Sequence, residues 1–199
     1  MLLRWRVLLA VLLLAVLPGL ASAVQAPLRL DDGLHRIDAW PSVTVLGDPG
    51  GDLTPEAALA ASDRFAAPAS AYATLGVHKD VVWVRIPVAV AAGSSAEWIL
   101  DIDYAVINRV DVFVATNGQL ARSAVLGNLQ PAAEGTRDGR VPAALLDLTP
   151  GQQQVILLRV ENIGSMILPI RLSRPGPFHS SALQEQMLQG MLTGLSICL

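Results

Sequence analysis

Three groups of residues in this chain have the types and spacing to do chemistry. Trp83 and Arg85 stand two apart in VVWVRIPVAV (81–90), so they share one face of an extended strand, and Arg159 sits in a second such run, QQVILLRV (153–160). An exposed indole stacks on sugar or aromatic rings, and arginine presents a planar fork of donors to carboxylates, phosphates or hydroxyls. The same pattern fits a core tryptophan beside an arginine that pairs with Asp101 or Asp103 or stacks on the ring, and the sequence leaves both readings open. Asp101 and Asp103 share a face of EWILDIDY (97–104), about 7 Å apart. They have the residue types of a glycosidase carboxylate pair, and equally those of a strand's solvated side. The third group is Arg137, Asp138 and Arg140 in GNLQPAAEGTRDGR (127–140), a charged loop that serves either as the rim of a binding site or as solvated surface.

Other chemistry lacks a setting. Ser94, Ser95, Ser180 and Ser181 lie outside any G-x-S-x-G elbow, and no G-x-G-x-x-G or P-loop occurs. His35, His78 and His179 are scattered, so no metal site is expected, and one cysteine, Cys198, makes no intramolecular disulfide. Lys and Arg number 14 against 17 Asp and Glu, which leaves no basic surplus for nucleic acid. At 52% apolar and 16% charged, the 199 residues are too apolar for a disordered chain. The expectation is a binding protein without catalytic residues, cofactor or metal.

The elements that must position these residues read as strands. Val82, Val84, Ile86 and Val88 alternate with Trp83, Arg85, Pro87 and Ala89. Trp98, Leu100 and Ile102 alternate with Ile99, Asp101 and Asp103, and Val110, Val112 and Val114 with Asp111 and Phe113. Asn117-Gly118 predicts a type I′ hairpin turn into a returning strand over 119–125. Thr149-Pro150-Gly151 predicts a turn between strands at 144–148 and 153–160, and 166–172 reads as a last strand held to an edge by Pro169. Thr54 and Pro55 open a short alanine-rich helix to Ser62, and the segments 66–79 and 127–140 read as long loops. The fold class expected is all-β, an antiparallel jelly roll or β-sandwich over residues 27–178.

Both ends differ from this middle. Residues 1–23 have the form of a signal peptide: Arg4 and Arg6, the apolar run Val7–Leu17, then Ala21-Ser22-Ala23 before the cleavage point. Near the other end, Ser181 and Gln184 have capping-box spacing, and Met187–Leu199 carries no charge over about 20 Å of helix, two-thirds of a bilayer. Gly190 and Gly194 stand four apart, as small residues do on packed membrane helices. Residues 181–199 are therefore expected to be the start of a first transmembrane helix, cut short; an amphipathic helix folded back on the domain is the alternative.

With these residues in place, the chain resembles a bacterial receptor family. The runs VVWVRIPVAV (81–90), EWILDIDYAVINRVDVFV (97–114) and LTPGQQQVILLRVENIGSMILPIRL (148–172) are similar to the type 2 extracellular domain of seven-transmembrane receptors with diverse intracellular signalling modules (7TMR-DISMED2). The positions that carry the resemblance are Trp83, Arg85, Asp101, Tyr104, Arg109, Val110, Asp111, Pro150, Gly151, Arg159, Val160 and Pro169, within residues 40–175. It implies a periplasmic jelly roll like those of carbohydrate-binding modules. It further implies a bundle of seven membrane helices entered through the Gly190–Gly194 helix, and an output module such as a diguanylate cyclase or histidine kinase. The chain departs from the family pattern around Leu126-Gly127-Asn128, where either Arg137 or Arg140 matches the loop arginine and no aromatic follows in 141–145. The expected partners are a small molecule of carbohydrate or carboxylate type, the inner membrane and, through the receptor, a second copy of the chain. A secreted or membrane-tethered carbohydrate-binding module without signalling role is the other reading.

Overall fold

The computed structural model describes residues 26–77, 79–130, 136, 140–178, 187, 191 and 196. The leader, Arg137 and nearly all of the terminal apolar segment lie outside them. In chain order the described strands are β1 (Leu28–Leu30), β2 (Arg36–Asp38), β3 (Thr44–Asp48), β4 (Thr74–Val77), β5 (Val81–Val90) and β6 (Glu97–Ile102). They continue with β7 (Arg109–Thr116), β8 (Gln119–Leu126), β9 (Ala143–Asp147), β10 (Gln153–Glu161), β11 (Ser165–Ile167) and β12 (Ile170–Ser173). A short helix, α1 (Pro55–Ala60), starts where Thr54 accepts the Ala57 N–H through its hydroxyl.

Two main sheets face each other. The first runs β1-β5-β10-β7-β8, with β3 on the same edge of β5 as β1 but further toward its start. The second runs β2-β12-β6-β9, and β11 pairs with β4 in a small third sheet. The period-two pattern does what it predicts. Val82, Val84, Ile86, Val88 and Val90 of β5 point inward into one buried cluster with Trp98, Leu100 and Ile102 of β6 and Ile170 and Leu172 of β12. Burial of each such side chain stabilises by about 1.5–3 kcal/mol. The outward set of the first sheet is Trp83, Arg85 and Pro87 on β5, Leu157 and Arg159 on β10, and Asp111 and Phe113 on β7, in rows that the register fixes: Trp83 and Asp111 both lie opposite Arg159. The all-β sandwich expected from the sequence is the observed architecture.

Turn chemistry also follows the residues. Asn117 and Gly118 both take positive φ, 51° and 79°, as a type I′ turn requires. Gly151, at φ 77°, ends the Pro-Gly turn, and its N–H donates to the Val90 carbonyl at 2.9 Å. Four expectations need correcting. The strand at 166–172 is two strands, because Pro169 has no N–H to give a ladder and the chain changes sheets there. Its second part, β12, is interior, between β2 and β6. β1 runs parallel to β5, so the sandwich is not purely antiparallel, and the 66–79 segment contains β4.

Candidate functional site

The sequence-derived candidates divide between opposite outer faces of the sandwich. Trp83, Arg85 and Arg159 lie on the first sheet's outer face, and Asp101, Asp103 and Arg140 belong to the second sheet's side. No single site unites them.

Trp83 is not a stacking platform. It is fully buried in a second, smaller cluster with Leu46, Ala58, Phe113 and Leu157, covered by Leu53, Leu59 and Phe65 of the segment that carries α1. Its ring lies 6.4 Å from that of Phe113, tilted by 33°. The indole N–H donates to Asp48 Oδ2 at 3.2 Å, and the Asp48 carboxylate also accepts the backbone N–H groups of Asp52 and Leu53 at 3.2 and 3.1 Å. Asp48 therefore positions both the tryptophan and the loop that leads into its lid.

Arg159 is engaged within the protein. Asp111, buried on β7, is ringed by guanidinium groups. Arg109 grips it with two bonds of 2.9 and 3.1 Å, Arg122 reaches it at 2.9 Å, and Arg159 stands 3.9 Å away while bonding Glu161. The bonds to Asp111 raise the Arg109 pKa further above its already high value. Arg122 also lies over the Phe113 ring, 5.3 Å from its centroid. This cluster holds three adjacent strands in register.

Arg85 behaves differently. Its side chain sits beyond the end of the α1 lid, in a cleft of about 360 Å3 lined by Pro27, Leu59, Pro87, Ala115, Val155 and, at the rim, Asn117 and Gln153. Its Nε is buried with no hydrogen-bond partner, and it does not pair with Asp101 or Asp103, which lie on the other sheet. Burial lowers its pKa, because the apolar walls disfavour the charged form. Arg109, Arg159, Arg171 and Arg174, the other described arginines of comparable or deeper burial, each meet a carboxylate. Arg85 alone among the described residues of this kind does not.

On the second sheet, Asp101 is fully buried, not on a solvated side. Arg171 bridges the two aspartates, with Nε on Asp101 Oδ2 at 3.0 Å and Nη2 on Asp103 Oδ2 at 2.8 Å. Arg36 stands 3.7 Å from Asp101, and Arg140 bonds Asp103 at 3.3 Å. Burial raises the Asp101 pKa; Arg171, then Arg36, oppose the rise, and Asp103 adds a little to it. Asp101 Oδ1 is buried without a partner. The pair is an ion network in a wall of the fold. Sequence reasoning missed its central member, Arg171, and also Asp48 and Arg174. A charged residue in the middle of an apolar strand, as at 111 or 171, is the signal that marks such networks.

Arg174 closes β12. Its guanidinium lies 3.9 Å from the Trp98 ring centroid, donates to the carbonyls of Ser95 and Glu97 at 2.9 and 3.0 Å, and bonds Asp32, which also accepts the Ser95 N–H at 3.0 Å.

Fold and cleft together define an all-β sandwich module that keeps one half-buried cation free of any carboxylate among the described residues. Residues 41–174 match the family model 7TMR-DISM extracellular 2, and the chain belongs to that family. The family's domains are extracytoplasmic sensory domains of membrane receptors, which gives this sandwich a periplasmic or extracellular place in such a receptor. No curated protein matches the chain. β1 and β2 precede the matched segment yet pair with β5 and β12, so the folded unit begins before it. Among the described residues no helix is long and apolar enough to cross a membrane.

Proposed function

We propose that the chain is the ligand-sensing periplasmic part of a bacterial inner-membrane receptor. It is exported by its leader, with cleavage near Ala23, and passes a binding signal through a transmembrane bundle to a cytoplasmic output module of diguanylate cyclase or histidine kinase type. The domain itself is non-catalytic. The observation that carries this reading is the family match, which ends at Arg174, where the last strand is locked into the sandwich. A displacement of this corner of the sandwich is passed directly to the chain that leaves it. A ligand acts on it only by binding two arrangements of sandwich and membrane bundle unequally. Trp40, Trp83 and Trp98 are all in the core, so the carbohydrate-module reading finds no exposed indole among the described residues.

Export is tested by fusing alkaline phosphatase after Arg174 of the intact leader-bearing chain in a bacterium. An active phosphatase supports the periplasmic assignment, and an expressed but inactive fusion overturns it. The transmembrane route is tested by the coding sequence that follows Leu199: further apolar spans support it, and an immediate stop codon sinks it.

A further inference from the structure

The Arg85 cleft combines three properties that together select a ligand chemistry. Its walls are apolar: Leu59 from α1, Pro87 from β5, Val155 from β10, Ala115 from β7, and Pro27 from the segment before β1. Its rim carries neutral hydrogen-bonding groups, the side chains of Asn117 and Gln153. Its one charged lining residue is Arg85, a guanidinium with no carboxylate among the described residues. A buried donor without a partner costs more than a paired one, and an apolar wall raises that cost. Elsewhere in this protein the partly or fully buried guanidinium groups each meet a carboxylate: Asp111 for Arg109, Asp101 and Asp103 for Arg171, and Asp32 for Arg174, whose Nε is nonetheless buried without a partner, so it is the missing carboxylate that sets Arg85 apart.

We propose that this cleft is a binding site for a small organic acid, whose carboxylate docks on the Arg85 guanidinium and whose apolar body lies against Leu59, Pro87 and Val155. The proposal deepens the sensory reading by naming a site and a ligand class, and rests on that reading for its role in signalling. Bidentate pairing with a planar carboxylate suits the guanidinium fork. A volume near 360 Å3 is at the small end of ligand pockets, which favours compact acids over oligosaccharides. The ligand would touch α1 and three strands of the first sheet at once. Occupancy would therefore stiffen the contact between the Trp83 lid and the sheet.

The test is calorimetric titration of the full chain in detergent with hexanoate and benzoate, and with hexanamide and benzamide as neutral matches of the same shape. At least one acid should bind saturably, with its amide at least tenfold weaker. Arg85→Met should weaken the acid roughly tenfold or more while the thermal midpoint stays level or rises, since a buried unpaired donor is removed. Arg85→Lys should fall between the two, because it keeps the charge and loses the fork. Equal affinity for acid and amide, undiminished binding by Arg85→Met, or no saturable binding of either acid up to about 10 mM would each overturn the proposal. These outcomes do not touch the export test, so failure of the site and failure of the receptor reading remain distinguishable.

Discussion

Asp48→Ala probes the strut beneath the Trp83 lid. The substitution removes the acceptor for a fully buried indole N–H and for two backbone N–H groups of the 52–53 segment. Stranding the indole donor costs about 1–3 kcal/mol, and losing each backbone bond about 0.5–1.5 kcal/mol, less where water can replace the carboxylate. Relief from burying a polar side chain offsets part of this, about 1 kcal/mol or more. The net expectation is a loss of about 2–3 kcal/mol, which for a domain of this size lowers the melting temperature by roughly 5–10 °C. Urea unfolding followed by tryptophan fluorescence measures it. The sharper measurement is the double-mutant cycle with Trp83→Phe, a ring with no N–H to strand. In that background Asp48→Ala should cost about 1–2 kcal/mol less than in the parent. A coupling energy within about 0.3 kcal/mol of zero would show that the 3.2 Å indole bond contributes nothing and that the lid is held by packing alone.

Three other perturbations have signed outcomes. The Asp101 pKa is raised in the fold above its ordinary 3.8, so the folded state holds the proton more tightly; this carboxyl's contribution to stability is fully present below the unfolded pKa and is lost as pH rises through the folded one. Urea midpoints for Asp101→Asn, relative to the parent, should therefore improve from about pH 4 toward pH 7, and a pH-independent difference would contradict the raised pKa. Gly127 has φ 130°, and a Cβ there would lie 2.2 Å from the Asn108 carbonyl oxygen, so Gly127→Ala should cost about 3 kcal/mol or more in a thermal melt. A loss under about 1 kcal/mol would mean that the 108–109 backbone yields freely. Arg174→Met removes a cation over Trp98 and two carbonyl bonds, so hydrogen exchange at residues 95–100 should accelerate along with a loss of about 2–4 kcal/mol. Unchanged exchange there would refute the clamp.

The parts of the fold legible in the sequence are those where one face of a long strand meets one core. Over β5 and β7 the alternation of valines with other residues is sustained enough to give strand, register face and core membership together. β1 and β2 are three residues each and escape notice, since so short a segment has no period to read. The outward face of β5 shows the limit more sharply. Trp83 and Arg85 are equivalent in strand geometry, but α1 and its flanking loop cover the first and stop short of the second. That distinction belongs to a contact between residues far apart in sequence, and strand spacing carries no trace of it. The two aspartates illustrate the same point in charge. Their common face was readable, but the partner that makes it a wall of the fold is Arg171, on a strand whose pairing the Pro169 break disguises.

The Arg174 clamp gives the domain a mechanical property. Asp32 lies just after the first strand and Arg174 just after the last, and their ion pair is backed by the carbonyls at the start of β6. Incoming and outgoing chain are thereby stapled at one corner. A pull on the outgoing chain is borne first by this staple and by the Trp98 ring beneath it, and only then by the strand ladders. Load that enters along either strand end therefore reaches the sandwich at one corner, and the ladders between the two ends are not stretched by it.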